Sequence, residues 1–97
     1  MAVLIDTPVW LWRGRRWSHL VSDVDYDELH AFVAAHLGIP RRAFQGDHYD
    51  VPEDLYDEAV AAGAEAVGSR ELLQRLLGAG LRLKKPRPPR PGARAAG

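Results

Sequence analysis

A chain of 97 residues accommodates one domain, and a domain of this size buries only about 60% of the surface its unfolded chain exposes. It has no cysteine, and no run approaches the ~18 apolar residues of a membrane span, so a disulfide scaffold, a thiolate metal site and a helical membrane span are excluded. The formal charge of zero conceals an asymmetry: residues 1–81 carry all 13 acids and seven bases, a net of −6, whereas residues 82–97 carry six bases and no acid.

The first element is AVLID (2–6), an apolar run of strand length that ends at an acid and Thr7-Pro8. Asp6 interrupts it too soon for a signal peptide. With the missing cysteines this leads us to expect a cytoplasmic protein without membrane contact. VWLWRGRRW (9–17) interleaves three tryptophans and three arginines around Gly14. WSHLV (17–21) reads as a second strand, with Trp17, His19 and Val21 on one face and Ser18, Leu20 and Ser22 on the other.

The first helix has the clearest signature. Asp25 can cap it, and Glu28 three residues on has capping-box spacing. Leu29, Phe32, Val33 and Leu37 form an apolar face, Gly38 suits the left-handed end and Pro40 forbids continuation. His36 falls on nearly the same face as Leu29, so it is expected to be a partnered core residue, and His30 lies at the border of the stripe. A short strand is expected around Arg42–Phe44. PEDLYDEAVAAG (52–63) reads as a second helix, with Pro52 in its first turn. AEAVG (64–68) reads as a strand, and Ser69 as the cap of a third helix with Leu72, Leu73, Leu76 and Leu77 inward. LRLK (81–84) would add a last edge strand. The order β-β-α-(β)-α-β-α-β predicts an α/β or α+β domain over residues 1–83, a three- to four-stranded mixed sheet packed with about three helices. Residues 84–97, KKPRPPRPGARAAG, have no large apolar group and read as a disordered basic tail. Eleven arginines against two lysines, with plentiful Ala, Gly and Pro, suggest a GC-rich bacterial genome.

VLIDTP, GRRWSHLVSD, ELHAF, LGIPRRAF, DHYDVP and GAEAVGSRELLQRL occur in that order. Together they resemble the bacterial and phage family catalogued as domain of unknown function 4031, over about residues 1–83. The resemblance implies the fold and, because the family has no assigned activity, transfers no catalytic residue.

Asp6, His19, Asp23, His48 and Asp50 are side chains of the types a divalent metal accepts. On one extended strand His19 and Asp23 would stand about 13 Å apart, too far to share an ion. If the first two strands are antiparallel, Asp6 meets His19; if parallel, it lies nearer Asp23. His48 and Asp50 would point the same way in an extended segment. Against this, Asp50 and Glu53 have capping-box spacing around Pro52, so helix-start chemistry is the simplest reading of Asp50. Asp47 has no assigned task. His19 and His48 would form a proton-transfer pair if they face each other.

Arg16 and Arg42 in the loops, and Arg70 in the first turn of the third helix, are the candidate anion-binding residues. The leading expectation is a pocket formed by Asp6, His19, Asp23, His48 and Arg70, with Arg16, Arg42 and Asp50 contributing, for a phosphorylated or nucleotide-like ligand. A divalent metal is the cofactor it would accept, and the residues leave open whether it hydrolyses that ligand. Two other expectations stand beside it. One is a nucleic-acid-associated module, binding weakly and nonspecifically through the basic tail. The other is an interaction protein presenting Trp10 and Trp12. The tryptophans could equally stack a base or fill the core.

Overall fold

The computed structural model describes residues 2–82. The strands are β1 (Val3–Asp6), β2 (Trp10–Trp12), β3 (Arg15–Ser22), β4 (Tyr49–Pro52) and β5 (Glu65–Val67). The helices are α1 (Tyr26–His36), α2 (Tyr56–Ala61) and α3 (Ser69–Gly78), with 3₁₀ turns at Arg41–Ala43 and Glu53–Leu55. The mixed sheet with three helices is the expected class.

β3 is the hub of the sheet. Trp17 pairs with Trp10 and with Pro52, and Leu20 pairs with Ile5 and with Tyr49. A strand has two edges, so β1 and β2 follow one another along one edge of β3 while β4 runs along the other, all antiparallel to it. β5 lies parallel to β1. The break between β1 and β2 falls at Thr7-Pro8, where proline removes a ladder donor.

Strand alternation divides the core between the two faces of the sheet. Val3, Ile5, Leu20, Tyr49 and Val51 pack with Leu29 and Val33 of α1 and Ala59 of α2. On the opposite face Leu4 and Val21 pack with Leu72 and Leu76 of α3. The predicted sidedness of Trp17, His19 and Val21 follows from this arrangement. α1 begins as read: the Asp25 carboxylate accepts the Glu28 N–H at 2.8 Å. Glu28 does not complete the box directly. It accepts from the Ser22 hydroxyl at 2.5 Å, and that hydroxyl oxygen accepts the Asp25 N–H at 3.2 Å. Gly38, at φ +67°, ends the helix, its N–H donating to the Val33 carbonyl at 3.0 Å.

Several local expectations are corrected. VWLWRGRRW forms a hairpin whose two-residue turn, Arg13-Gly14, has φ of +52° and +79°, as a type I′ turn requires. Residues 41–43 form a 3₁₀ turn where a strand around Arg42–Phe44 was expected. Pro52 ends a strand and is not in the first turn of a helix, because Asp50 and Val51 find ladder partners in β3. Gly68, not Ser69, is the N-cap of α3, leaving the Ser69 side chain for another partner. Leu73 and Leu77 are exposed because α3 presents a narrow stripe, Leu72 and Leu76, to the sheet. His36 is exposed against Phe32. His30 takes the core role instead, its Nδ1 2.7 Å from the Tyr49 hydroxyl. Leu81 and Arg82 are not in a strand, and the rest of LRLK and the tail 84–97 lie outside the described residues.

Candidate functional site

Asp6 ends β1 opposite His19 of the antiparallel β3, the topology that brings the two together. It is 1% exposed and accepts three hydrogen bonds. One oxygen takes the His19 backbone N–H at 2.6 Å; the other meets His19 Nδ1 at 2.8 Å and the Ser69 hydroxyl at 3.1 Å. A buried carboxylate needs such donors to offset the loss of water. The Nδ1 contact places the proton of neutral His19 on Nδ1 and leaves the Nε2 lone pair for a ligand.

Asp50 stands directly opposite His19 in the β3–β4 ladder, so their side chains share the α3 face of the sheet. His48 precedes β4 and projects to that same face, its ring centroid 5.3 Å from that of His19. A tight turn holds it there: the Gln45 N–H donates to the His48 carbonyl at 2.8 Å, and Gly46 supplies a φ of +92°. Buried Asp47 contacts His48 Nδ1 at 2.7 Å, and Asp50 contacts Nε2 at 3.1 Å. Burial opposes charging of His48, but the hydrogen bonds to Asp50 and Asp47 prevail and raise its pKa above the ordinary 6.5.

His19, His48 and Asp50 each place one ligand atom within 4.8 Å of the other two. Ions bound at ~2.0–2.2 Å bring their donor atoms roughly 3–4 Å apart, so small side-chain rotations close the set. Each histidine has its Nδ1 on a separate buried carboxylate, the outer arrangement that fixes ring orientation in metal-binding histidines. Three protein ligands leave an ion a position for water or substrate.

A cleft of ≈ 260 Å³ adjoins the cluster, with His19, His48 and Asp47 on one side, Leu72, Leu73 and Leu76 of α3 on the other, and Arg82. The Arg82 guanidinium is 3.7 Å from Asp47. Trp10 packs its ring on His19 with centroids 4.6 Å apart.

Asp6, His19, His48 and Asp50 are therefore brought together. Asp23 is not among them: it lies beyond the far end of β3, accepts from the Ala2 N–H at 2.6 Å and pairs with Arg75 at 2.7 Å. Those two partners outweigh burial and hold its carboxyl below the ordinary range. Arg70 and Arg42 are exposed and do not line this cleft. Arg16 is also exposed, its guanidinium on the Val9 carbonyl at 3.3 Å. Four contributors escaped the sequence reading: Asp47, Ser69, Trp10 and Arg82. Asp47 and Ser69 had visible signals, a carboxylate beside a loop histidine and a hydroxyl at a helix start. Arg82 had none, and Trp10, expected to be presented on a contact patch, is instead half-buried on His19.

The structure thus defines a small mixed α/β domain with a histidine–carboxylate cluster on the α3 face of its sheet. The family model described as protein of unknown function, DUF4031, matches residues 3–79, and the chain belongs to that family. No curated protein and no solved structure matches it. Among the described residues no helix is long and apolar enough to cross a membrane.

Proposed function

We propose that His19, His48 and Asp50 hold a divalent metal ion, and that this centre hydrolyses a phosphorylated ligand seated in the adjoining cleft. The observation that carries this reading is the double orientation of the histidines. Each Nδ1 is committed to its own buried carboxylate, and Asp50 closes the set from the neighbouring strand. The charge balance supports it. An anion approaching residues 1–81 meets a net charge of −6, and Asp6, Asp47 and Asp50 crowd the site itself. A dication reverses that local field and, with Arg82, makes the cleft receptive to phosphate.

The ion would lower the pKa of a bound water toward neutrality and polarise a phosphoryl oxygen. In such a hydrolysis the water oxygen would bond to phosphorus as the ester P–O bond breaks, and the departing oxygen would take up the proton the water releases. Asp6 and Asp47 orient His19 and His48 through their Nδ1 atoms. Phosphomonoester and phosphodiester substrates assayed with zinc, manganese or cobalt provide the test. Turnover should depend on the metal and fall at least a hundredfold in His48→Ala and Asp50→Ala. Turnover equal in the two variants and the parent protein would contradict the reading.

A second reading has its own observation. Val9, Leu11 and Trp12 on the hairpin are 57%, 67% and 52% exposed, as a protein-contact patch would be. The self-association arm of the next experiment addresses it.

A further inference from the structure

α3 covers only the part of its face that carries Leu4 and Val21. Farther along the same face stand the indoles of the hairpin: Trp10 and Trp17 are register partners, and Trp12 is two residues on from Trp10. Trp17 is fixed by its Nε1–H, which donates to the Trp12 carbonyl at 2.9 Å. The Trp12 and Trp17 rings lie 5.5 Å apart and tilted by 57°. They wall a second cleft of ≈ 330 Å³ with Ile39, Ala43, Gln45, Pro52 and Asp50. An indole that is half exposed on so small a domain is not explained by core packing.

Two features define the occupant. The walls are aromatic and apolar with one amide, Gln45, and one carboxylate, Asp50, which suits a planar heteroaromatic ring with a polar edge. Asp50 belongs both to this cleft and to the ion-binding set, so a molecule seated on the indoles borders that set. Arg13, whose guanidinium lies 4.7 Å above the Trp12 ring, adds positive charge at the same wall. Arg15 and Arg16 follow on the hairpin and are exposed.

We infer that the Trp12–Trp17 cleft is a nucleobase subsite, so that the phosphorylated ligand of the metal centre is a nucleotide, free or within a single strand. The inference rests on the metal-centre reading for the phosphate end alone; the base end stands on the indoles.

The test uses chelator-treated full-length protein, calorimetry and the indole N–H signals in NMR spectra. Adenosine and adenosine monophosphate should bind saturably and shift the Trp12 and Trp17 signals, whereas ribose 5-phosphate should leave them in place. Trp12→Ala should weaken nucleoside binding about tenfold, and Trp12→Phe should restore most of it. An oligothymidylate distinguishes the sources. Equal affinity per site with the mononucleotide indicates a free nucleotide. Tighter binding that weakens steeply with salt indicates a strand held by Arg13, Arg15 and Arg16. Either result keeps the base subsite.

Folded Trp12→Ala protein that binds adenosine as the parent does would overturn the inference. So would an absence of saturable binding by any nucleoside. Self-association in sedimentation that Trp12→Ala abolishes, without any nucleoside response, would reassign the face to a second copy of the chain. Metal uptake without nucleoside binding removes this inference alone, and nucleoside binding without metal uptake removes the metal reading alone.

Discussion

His48 touches a carboxylate with each ring nitrogen, and that arrangement ties the stability of the metal-free fold to pH. Burial works against its charge, but Asp50 and Asp47 raise its pKa above 6.5. A raised folded-state value contributes stability that is fully present below the unfolded pKa of ~6.5 and is lost as pH climbs through the folded value. His30 acts in the opposite sense. Burial and Arg41 lower its pKa, so its contribution is present above ~6.5 and lost as pH falls through the folded value. Comparing the parent with His48→Gln isolates the first effect. In metal-free buffer the gap between their urea midpoints should be widest near pH ~5.5 and shrink by pH ~8.5. A gap that does not change with pH would show that His48 is not held as an imidazolium. At this scale the sequence was partly legible. Alternation placed His19 on the face of Trp17 and Val21, but whether Asp6 met His19 or lay nearer Asp23 stayed open until the antiparallel pairing of β1 with β3 decided it. Asp50 was ambiguous because Asp-Val-Pro-Glu suits a helix cap and a strand end equally. The ladder partner His19, 31 positions away in sequence, decides between them.

The elements differ in how local their causes are. α1 was legible because its cap, apolar stripe and terminal glycine all lie within 14 residues of sequence. The Asp25 cap should contribute about 1 kcal/mol, so Asp25→Ala should lower the urea midpoint accordingly, while Asp25→Asn should retain most of the stability. Loss in both variants alike would show that the carboxylate charge, not the cap hydrogen bond, matters. The β2–β3 hairpin was not legible, because Arg-Gly is a weak signal for a type I′ turn and three tryptophans obscure the alternation. Its cause is distant: among the described residues β2 takes its strand pairing from β3, and the Arg16 N–H is taken by Glu53 at 2.8 Å across the sheet edge. The third helix showed its stripe but not its width. That depends on how much sheet lies beneath it, and only Leu72 and Leu76 reach the buried layer.

For the molecule as a whole, the sheet is buried on both faces near β1, whereas along the hairpin Leu11 on one face and Trp12 on the other are both exposed. That imbalance leaves room for the two clefts, and the cluster of His19, His48 and Asp50 stands where the covered and uncovered regions meet. A net charge of −6 over residues 1–81 favours a cation at the centre of that cluster. The most direct measurement is the zinc content and zinc affinity of the purified protein, with His19→Ala, Asp50→Ala and Asp23→Ala alongside. The parent and Asp23→Ala should take up one ion per chain, and His19→Ala and Asp50→Ala should lose it or bind at least tenfold more weakly. No uptake by the folded parent, or equal uptake by all four proteins, would contradict the metal centre.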